Sequence, residues 1–438
     1  MSRQFHITPG GSLQGVIQVP GDKSISHRCV IFGALADGTT HVSGLLEGMD
    51  VLATIAAFRA MGVQIEGPQD GHLSIHGAGV DGLQVPAAAL DMGNSGTAMR
   101  LLAGLLAGQS FNTTLTGDES LSRRPMRRIV DPLTSMGANI ETAEGGTPPL
   151  RIRGGSRLLG IDYTMPVASA QVKSCLLLAG LNAQGHTCVT EPAPTRDHTE
   201  RMLQGFGYPV QRDGATACVE PGHRLMATDL VVPGDISSSA FFLVGASIAP
   251  GSRLQINNVG INPTRTGILD ILTAMGADIE LLNEREVGGE PVADLLVSSA
   301  RLTGIHIDEA HVPLAIDEFP AIFIAAAAAE GETLLTGAEE LRVKESDRIA
   351  VMAQGLAALG IEVEERSDGM RIRGGQLHGG RVDSHGDHRI AMAFAMAGLV
   401  SDGAIVVDDC DNVATSFPAF AALAASCGLN VTERRSVD

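Results

Sequence analysis

The sequence predicts an α/β protein of two similar domains, each made of three βαβαββ units. Three observations predict it. The helix start "VPGD" at Val19–Asp22 returns at Val232–Asp235, 213 positions later, and both copies lead into an apolar run closed by Gly. A second motif occurs six times: "MGVQIE" (Met61), "MGANIE" (Met136), "FGYPVQ" (Phe206), "MGADIE" (Met275), "LGIEVE" (Leu359) and "CGLNVT" (Cys427), 68 to 84 residues apart. A period that long is a repeated supersecondary unit, not a coiled coil or a short solenoid. Finally, 438 residues suggest at least two domains with substantial cores.

Within each repeat the elements can be read in order. An early helix, rich in small and apolar residues, begins near "GDKSISHR", "GNSGTAMR", "VASAQVKS", "GDISSSAF", "AIDEFPAI" or "GDHRIAMA". Apolar residues on every side mark it as buried. A later stretch such as "VLATIAAFRAMG" or "RIVDPLTSMG" reads as an amphipathic outer helix with a Gly C-cap, followed by an alternating strand. The unit is therefore strand, buried helix, strand, outer helix, strand, strand. The "VPGD" echo divides six units into three plus three. The first domain is expected at 21–233 and the second at 1–20 with 234–438, with crossings near Val19–Gly21 and Val232–Gly234.

Bulk composition excludes several classes of function. The formal net charge of −19 argues against non-specific binding to nucleic acid or an anionic membrane. The first residues show no charged-then-apolar leader, and apolar runs such as "AIFIAAAAAEG" are too short for a membrane span. The six cysteines (29, 175, 188, 218, 410 and 427) form no CxxC pair and no zinc-like spacing with His. Reduced thiols, a cytoplasmic location and no cofactor are expected.

Lysine usage is unusual: there are three Lys against 28 Arg. Lys23 and Lys173 stand at buried-helix starts, and Lys344 at the outer-helix start "RVKESDR". Cations in a first turn oppose the helix dipole, so a start crowded with Lys23, His27 and Arg28 makes sense if an anion occupies it. Arg123, Arg124, Arg127 and Arg128 in "GDESLSRRPMRR", with Arg196, Arg348 and Arg389, repeat the pattern. Together they point to a small polyanionic ligand in an interdomain cleft, since Arg clamps carboxylates and phosphates with two bonds. Two acids stand among these cations, Asp317 in "AIDEFP" and Glu345 in "VKESDR". Either is a candidate for proton transfer, and each has a plainer reading as a cap or as a partner of Arg348. "HGDH" (His385–His388) lies at a helix start without a further ligand cluster, so no metal is expected. "GNSGT" (Gly93–Thr97) is a Gly loop feeding a helix but lacks the Lys and spacing of a P-loop.

These motifs, taken in order from Lys23 to Pro418, resemble the EPSP synthase (5-enolpyruvylshikimate-3-phosphate synthase) family. The residues that carry the resemblance are "PGDKSISHR", "GNSGTAMR", "RRPM", "SAQVKS", "DEFP", "RVKESDR" and "GDHRIAMA". The resemblance implies transfer of the enolpyruvyl group of phosphoenolpyruvate to the 5-hydroxyl of shikimate 3-phosphate, with release of phosphate. It implies addition followed by elimination, by a monomer acting on these two small molecules. Carried over residue by residue, Lys23, Ser24, Arg28, Ser169, Ala170, Gln171, Arg196, Asp317 and Lys344 would hold shikimate 3-phosphate. Lys23, Gly96, Arg124, Gln171, Arg348 and Arg389 would surround phosphoenolpyruvate. Asp317 would be the base for the 5-hydroxyl, supported by Lys344, and Glu345 the partner in proton transfer at the methylene. Lys23 would share in catalysis.

Three departures from one branch of the family are visible. Ser169-Ala170-Gln171 stands where that branch has Ser-Ser-Gln. No Lys precedes Ala414-Thr415-Ser416-Phe417-Pro418. Arg196 stands near a place where Ser serves. All three resemble a second bacterial branch, whose members often tolerate the inhibitor glyphosate. A UDP-N-acetylglucosamine enolpyruvyl transferase would share fold and donor. It would carry a Lys-Asn pair at Lys23-Ser24 and a loop Cys, and no Cys lies between Cys29 and Cys175 here. A non-enzymatic repeat scaffold leaves the placement of the Lys residues unexplained. Gly96 lacks the methyl group that blocks glyphosate in some tolerant enzymes. Gly96→Ala is therefore expected to weaken glyphosate more than phosphoenolpyruvate, because an added Cβ crowds the longer ligand. Steady-state inhibition measured against both ligands checks this, and equal loss of both would refute it.

Overall fold

Residues 2–435 are described by a computed structural model. Their helices, in chain order, are α1 (Lys23–Leu35), α2 (Met49–Ala60), α3 (Gly96–Ala107), α4 (Arg127–Ser135), α5 (Ala170–Gly180) and α6 (His198–Gly205). They continue as α7 (Ile236–Ile248), α8 (Gly267–Ala274), α9 (Phe319–Ala328), α10 (Arg348–Ala358), α11 (His388–Ala397) and α12 (Phe420–Cys427). Odd-numbered helices are the buried ones. In α7 every residue from Ile236 to Ile248 is buried, and in α9 every residue from Phe319 to Ala327. Even-numbered helices keep an exposed side, as in α4, where Ile129, Val130, Pro132 and Leu133 face inward.

The six Gly residues of the repeated motif all take a left-handed backbone: Gly62, Gly137, Gly207, Gly276, Gly360 and Gly428 have φ between 77° and 127°. A side chain would be strained there, so Gly ends each outer helix and lets the next strand return. Those strands are Gln64–Gln69, Asn139–Glu141, Val210–Asp213, Asp278–Val287, Glu362–Arg366 and Val431–Arg435.

The chain divides into two units. One comprises Gly21–Val232 with Val287–Gly289, and the other comprises the chain through Pro20, Pro233–Glu286 and the chain from Glu290 onward. In the 21–232 unit, three four-stranded sheets surround α1, α3 and α5. The first sheet is closed by Leu230–Val231, which pairs parallel with Thr39–Ser43. In the split unit the last sheet takes Arg3–Ile7 into its interior, between Ile405–Asp408 and Val431–Arg435. The fifth repeat departs from the expected pattern. Its sheet has three strands, and the segment where a fourth would lie makes only isolated bridges at Thr303 and His306.

Each unit has its own apolar core. Close helix packing sets part of the 21–232 core: a Cβ on Gly104 of α3 would lie 2.0 Å from the Cys175 carbonyl oxygen of α5. No larger residue fits that approach without moving backbone. In the split unit Phe5, Phe241, Phe242, Phe417 and Phe420 stack as tilted and edge-to-face pairs with centroids 5.5–6.2 Å apart.

Two expectations are corrected here. Cys188 and Cys218 are joined in a disulfide, so not all six thiols are free. The strands Thr187–Thr190 and Thr216–Val219 pair antiparallel with these two residues directly opposite, Cα atoms 4.1 Å apart. Lys173, grouped above with the ligand-facing cations, is instead a core residue of α5. It is 1% exposed, with its Nζ 3.1 Å from Glu191 and 2.8 Å from Glu200. One buried cation between two buried carboxylates leaves nothing for a ligand. Removing the ammonium would strand two like charges out of water, at a cost of roughly 3–5 kcal/mol. Lys173→Met is therefore expected to lower stability by about that amount in urea unfolding. Adding Glu191→Gln and Glu200→Gln to it should recover at least half of the loss.

Candidate active-site residues

In the 21–232 unit the first turns of α1, α3 and α5 lie side by side. Asp22 caps α1 by accepting the Ile25 amide (2.8 Å), Ser95 caps α3 by accepting that of Ala98 (3.1 Å), and Ser169 caps α5 by accepting that of Val172 (3.3 Å). Side chains tie the three together. The His27 ring meets Ser95 Oγ at 3.4 Å, and Arg28 Nη2 donates to Ser174 Oγ at 2.8 Å. Gln171 donates to Thr97 Oγ1 at 3.0 Å and accepts from Arg100. Three positive helix ends therefore converge on one place, the arrangement that favours bound anions.

The cations expected from the sequence stand around it. Lys23, the first residue of α1, pairs with Asp50 at 3.0 Å. Arg28 is buried; its Nε donates to Thr199 Oγ1 (2.7 Å) and its Nη1 to the Ser24 carbonyl (2.9 Å). Arg196 donates to the Ser24 hydroxyl at 3.3 Å. Arg124 follows a short 3-10 turn, Leu121–Arg123, and donates to Asn94 Oδ1 at 2.8 Å and Ser120 Oγ at 3.3 Å. Gly96 is the first residue of α3 and Ala170 the first of α5. A Cβ on Gly96 would meet Arg100 Nη1 at 2.9 Å and Arg124 Nη1 at 3.2 Å, both flexible guanidinium tips. An Ala there would disturb the cations rather than the backbone.

In the split unit the second group forms at the starts of α9, α10 and α11. The N-cap of α9 is Glu318, which makes no capping bond, so Asp317 is not the cap. Its carboxylate instead lies 3.3 Å from Arg348, 3.8 Å from Lys344 and 3.9 Å from Arg389. Arg348 opens α10 with its side chain fully buried, and it also meets Glu345 (2.6 Å) and Asp387 (2.8 Å). Asp387 caps α11 through the Arg389 amide at 3.0 Å and accepts the Ser346 hydroxyl at 3.0 Å. Three cations thus face three carboxylates. Burial alone would lower the Arg348 value, but Asp387, Glu345 and Asp317 outweigh it and raise it, so the guanidinium stays charged. Burial holds the Lys344 ammonium below the ordinary lysine value, against the pull of Asp317 and with the push of Arg348. A cation poised in this way beside a carboxylate is suited to exchanging or steadying a proton.

Sequence reasoning missed Asn94, Thr97 and Arg100 on the α3 side, Ser174 and Thr199 around Arg28, and Asp387 as the partner of Arg348. Arg100 lies one turn after Gly96 in the quoted "GNSGTAMR", which was the available signal. Asn94 and Thr97 lie in the quoted "GNSGT", and the rest are neutral or capping residues that sequence alone reads as structural.

A sixfold α/β repeat that gathers helix N-termini and guanidinium groups defines a protein class built to hold small polyanions. The same fold occurs in the solved structure of the enolpyruvyl transferase NikO from Streptomyces tendae, which is 16% identical, has a TM-score of 0.81 and covers 99% of both chains. The family model for EPSP synthase (3-phosphoshikimate 1-carboxyvinyltransferase) matches residues 7–423. The chain belongs to that family. It is 66% identical over 98% of its length to the 3-phosphoshikimate 1-carboxyvinyltransferase of Alkalilimnicola ehrlichii, covering 96% of that protein. It is 56% identical to the solved EPSP synthase from Acinetobacter baumannii, with a TM-score of 0.88, 99% of this chain covered and 100% of that one.

His27 gives this group a pH signature. Burial, with Lys23 and Arg28 nearby, lowers its value to about 3 from the usual 6.5. Below about pH 6.5 the unfolded chain takes up a proton that the folded chain refuses, so stability falls as pH drops from 6.5 to 3. At about 1.4 kcal/mol per pH unit the loss is of order 4 kcal/mol. His27→Gln is expected to flatten the pH dependence of the urea midpoint across that window. An unchanged slope would show that His27 does not set it.

Proposed function

We propose that the chain transfers the enolpyruvyl group of phosphoenolpyruvate to the 5-hydroxyl of shikimate 3-phosphate, releasing inorganic phosphate. The observation that carries this reading is Asp317, a carboxylate freed from capping and held among Lys344, Arg348 and Arg389. The full-length similarity to 3-phosphoshikimate 1-carboxyvinyltransferases supports it. Each substrate brings a carboxylate and a phosphate of about −1.5 to −2 charge, a load that calls for clustered cations.

In this reading Lys23, Ser24, Arg28, Ser169, Ala170, Gln171 and Arg196 hold shikimate 3-phosphate, with Asp317 and Lys344 at its 5-hydroxyl. Lys23, Gly96, Arg124, Gln171, Arg348 and Arg389 hold phosphoenolpyruvate. A proton reaches the enol methylene from Glu345, and the 5-hydroxyl oxygen bonds to the resulting cationic carbon as Asp317 takes the hydroxyl proton. The tetrahedral adduct then loses phosphate while Glu345 takes back one methyl proton, which restores the double bond. The fixed cations steady the developing charges without reorganising during the step. Arg100 orients Gln171 from the next turn of α3. The chain works as a monomer in the cytoplasm, and among its described residues no helix is long and apolar enough to cross a membrane.

Lys23-Ser24 favours this acceptor over UDP-N-acetylglucosamine, because the Ser24 hydroxyl, bonded to Arg196, stands where a UDP-N-acetylglucosamine enolpyruvyl transferase would carry the Asn of a Lys-Asn pair. The test is phosphate release from phosphoenolpyruvate. It is expected only when shikimate 3-phosphate is added; release with UDP-N-acetylglucosamine instead would overturn the assignment. Asp317→Asn should lower kcat by roughly 10²–10⁴-fold, the range for a lost general base, with a smaller change in KM.

A further inference from the structure

The third sheet of the 21–232 unit carries a cluster that the reaction does not use. Strand pairing sets four donor side chains on its outer face. Cys188 is directly opposite Cys218 on the antiparallel neighbour and directly beside Asp162 on the parallel neighbour, Asp162–Thr164. His186 lies two residues before Cys188, with Thr187 between them pointing inward and fully buried. Side chains alternate along a strand, so His186 and Cys188 share the outer face. The His186 ring nitrogen is 3.3 Å from Asp162 Oδ1, and both side chains are more than half exposed. Ligand atoms of Asp162, His186 and Cys188 all lie within 4.8 Å of one another.

We propose that this face is a redox-gated site for a soft divalent cation such as Zn²⁺. In it Cys188, Cys218, His186 and Asp162 supply two sulfurs, a nitrogen and an oxygen. This donor set suits tetrahedral zinc, with bonds of roughly 2.0–2.3 Å; three of the donors are already clustered, and Cys218 joins them from the strand beside Cys188 once the S–S bond opens. Thiolates also select zinc over magnesium or calcium. The disulfide is the gate. Closed, it leaves one nitrogen and one carboxylate, too few donors to hold the ion. A dithiol reductant opens it: the S–S bond breaks, the dithiol gives up two electrons and two protons to become its own disulfide, and Cys188 and Cys218 become thiols. Zinc then displaces both thiol protons to solvent as two metal–sulfur bonds form. The ion thereby takes over the cross-strand link that the disulfide provided.

The test uses the full chain, opened with a dithiol, freed of it without air, and titrated with Co²⁺ alone. The expected result is a thiolate-to-cobalt absorption band that saturates at one ion per chain and disappears on adding Zn²⁺. The chain with its disulfide intact should give no band. Cys188→Ser and Cys218→Ser should each abolish the two-sulfur signal. His186→Asn should weaken affinity by more than the roughly 10–100-fold typical of second-shell changes. Phosphate-release activity serves as the folding control, since none of these residues has a role in the reaction. No band in the reduced chain would overturn the proposal. So would a doubly substituted chain, C188S with C218S, that titrates like the unsubstituted one.

Discussion

A buried helix can open to solvent only at its ends, and that constraint governs this molecule. In α1, α3 and α5, and again in α7, α9 and α11, apolar residues occupy the flanks, so chemistry is confined to the first turn. Backbone amides there already carry partial positive charge. Five of the six starts spend an Asp or Ser on capping, and the exception, α9, frees Asp317 for other partners. Cations placed on top of a positive helix end are unstable without an anion or a matching carboxylate. Around α1, α3 and α5 the partners of Arg28 and Arg124 include hydroxyl and amide oxygens, and around α9, α10 and α11 three carboxylates face three cations.

Arg28 and Arg124 donate to hydroxyl and amide oxygens. Arg348 is enclosed by Asp387, Glu345 and Asp317 with no exposed surface. For a phosphate or carboxylate to approach it, one of those acids must share or yield its bond.

Much of the fold was legible because its signals are local. Six Gly residues at helix ends, six apolar helices and six alternating strands each announce themselves within a few residues. The echo of "VPGD" marked where the chain passes from one unit to the other. What was illegible depended on side-chain direction or register. Lys173 stands in the same part of its helix as Ser169 and Gln171, but its partners Glu191 and Glu200 come from later elements, and nothing local shows that its side chain turns toward them. Cys188 and Cys218 become neighbours only through the register of two strands, which composition does not encode. Asp317 and Glu318 are adjacent acids at one helix start, and only the three-dimensional arrangement shows which takes the cations and which reaches toward Ser237.

The interior position of Arg3–Ile7 has a consequence for how the polypeptide is made. Its register pairs Arg3 with Arg435 and Ile7 with Ile405, so this strand must wait for partners made much later in synthesis. The Gly21–Val232 stretch has its own core and nearly all its strands in hand by mid-synthesis. It can consolidate while the leading segment stays unpaired, as domains commonly do during translation. The split unit carries the long loop-closure entropy of joining segments far apart in sequence, which slows its formation. A nascent chain stalled before Val431 would thus present one finished half and an open sheet edge, the kind of edge that chaperones cover and aggregates exploit.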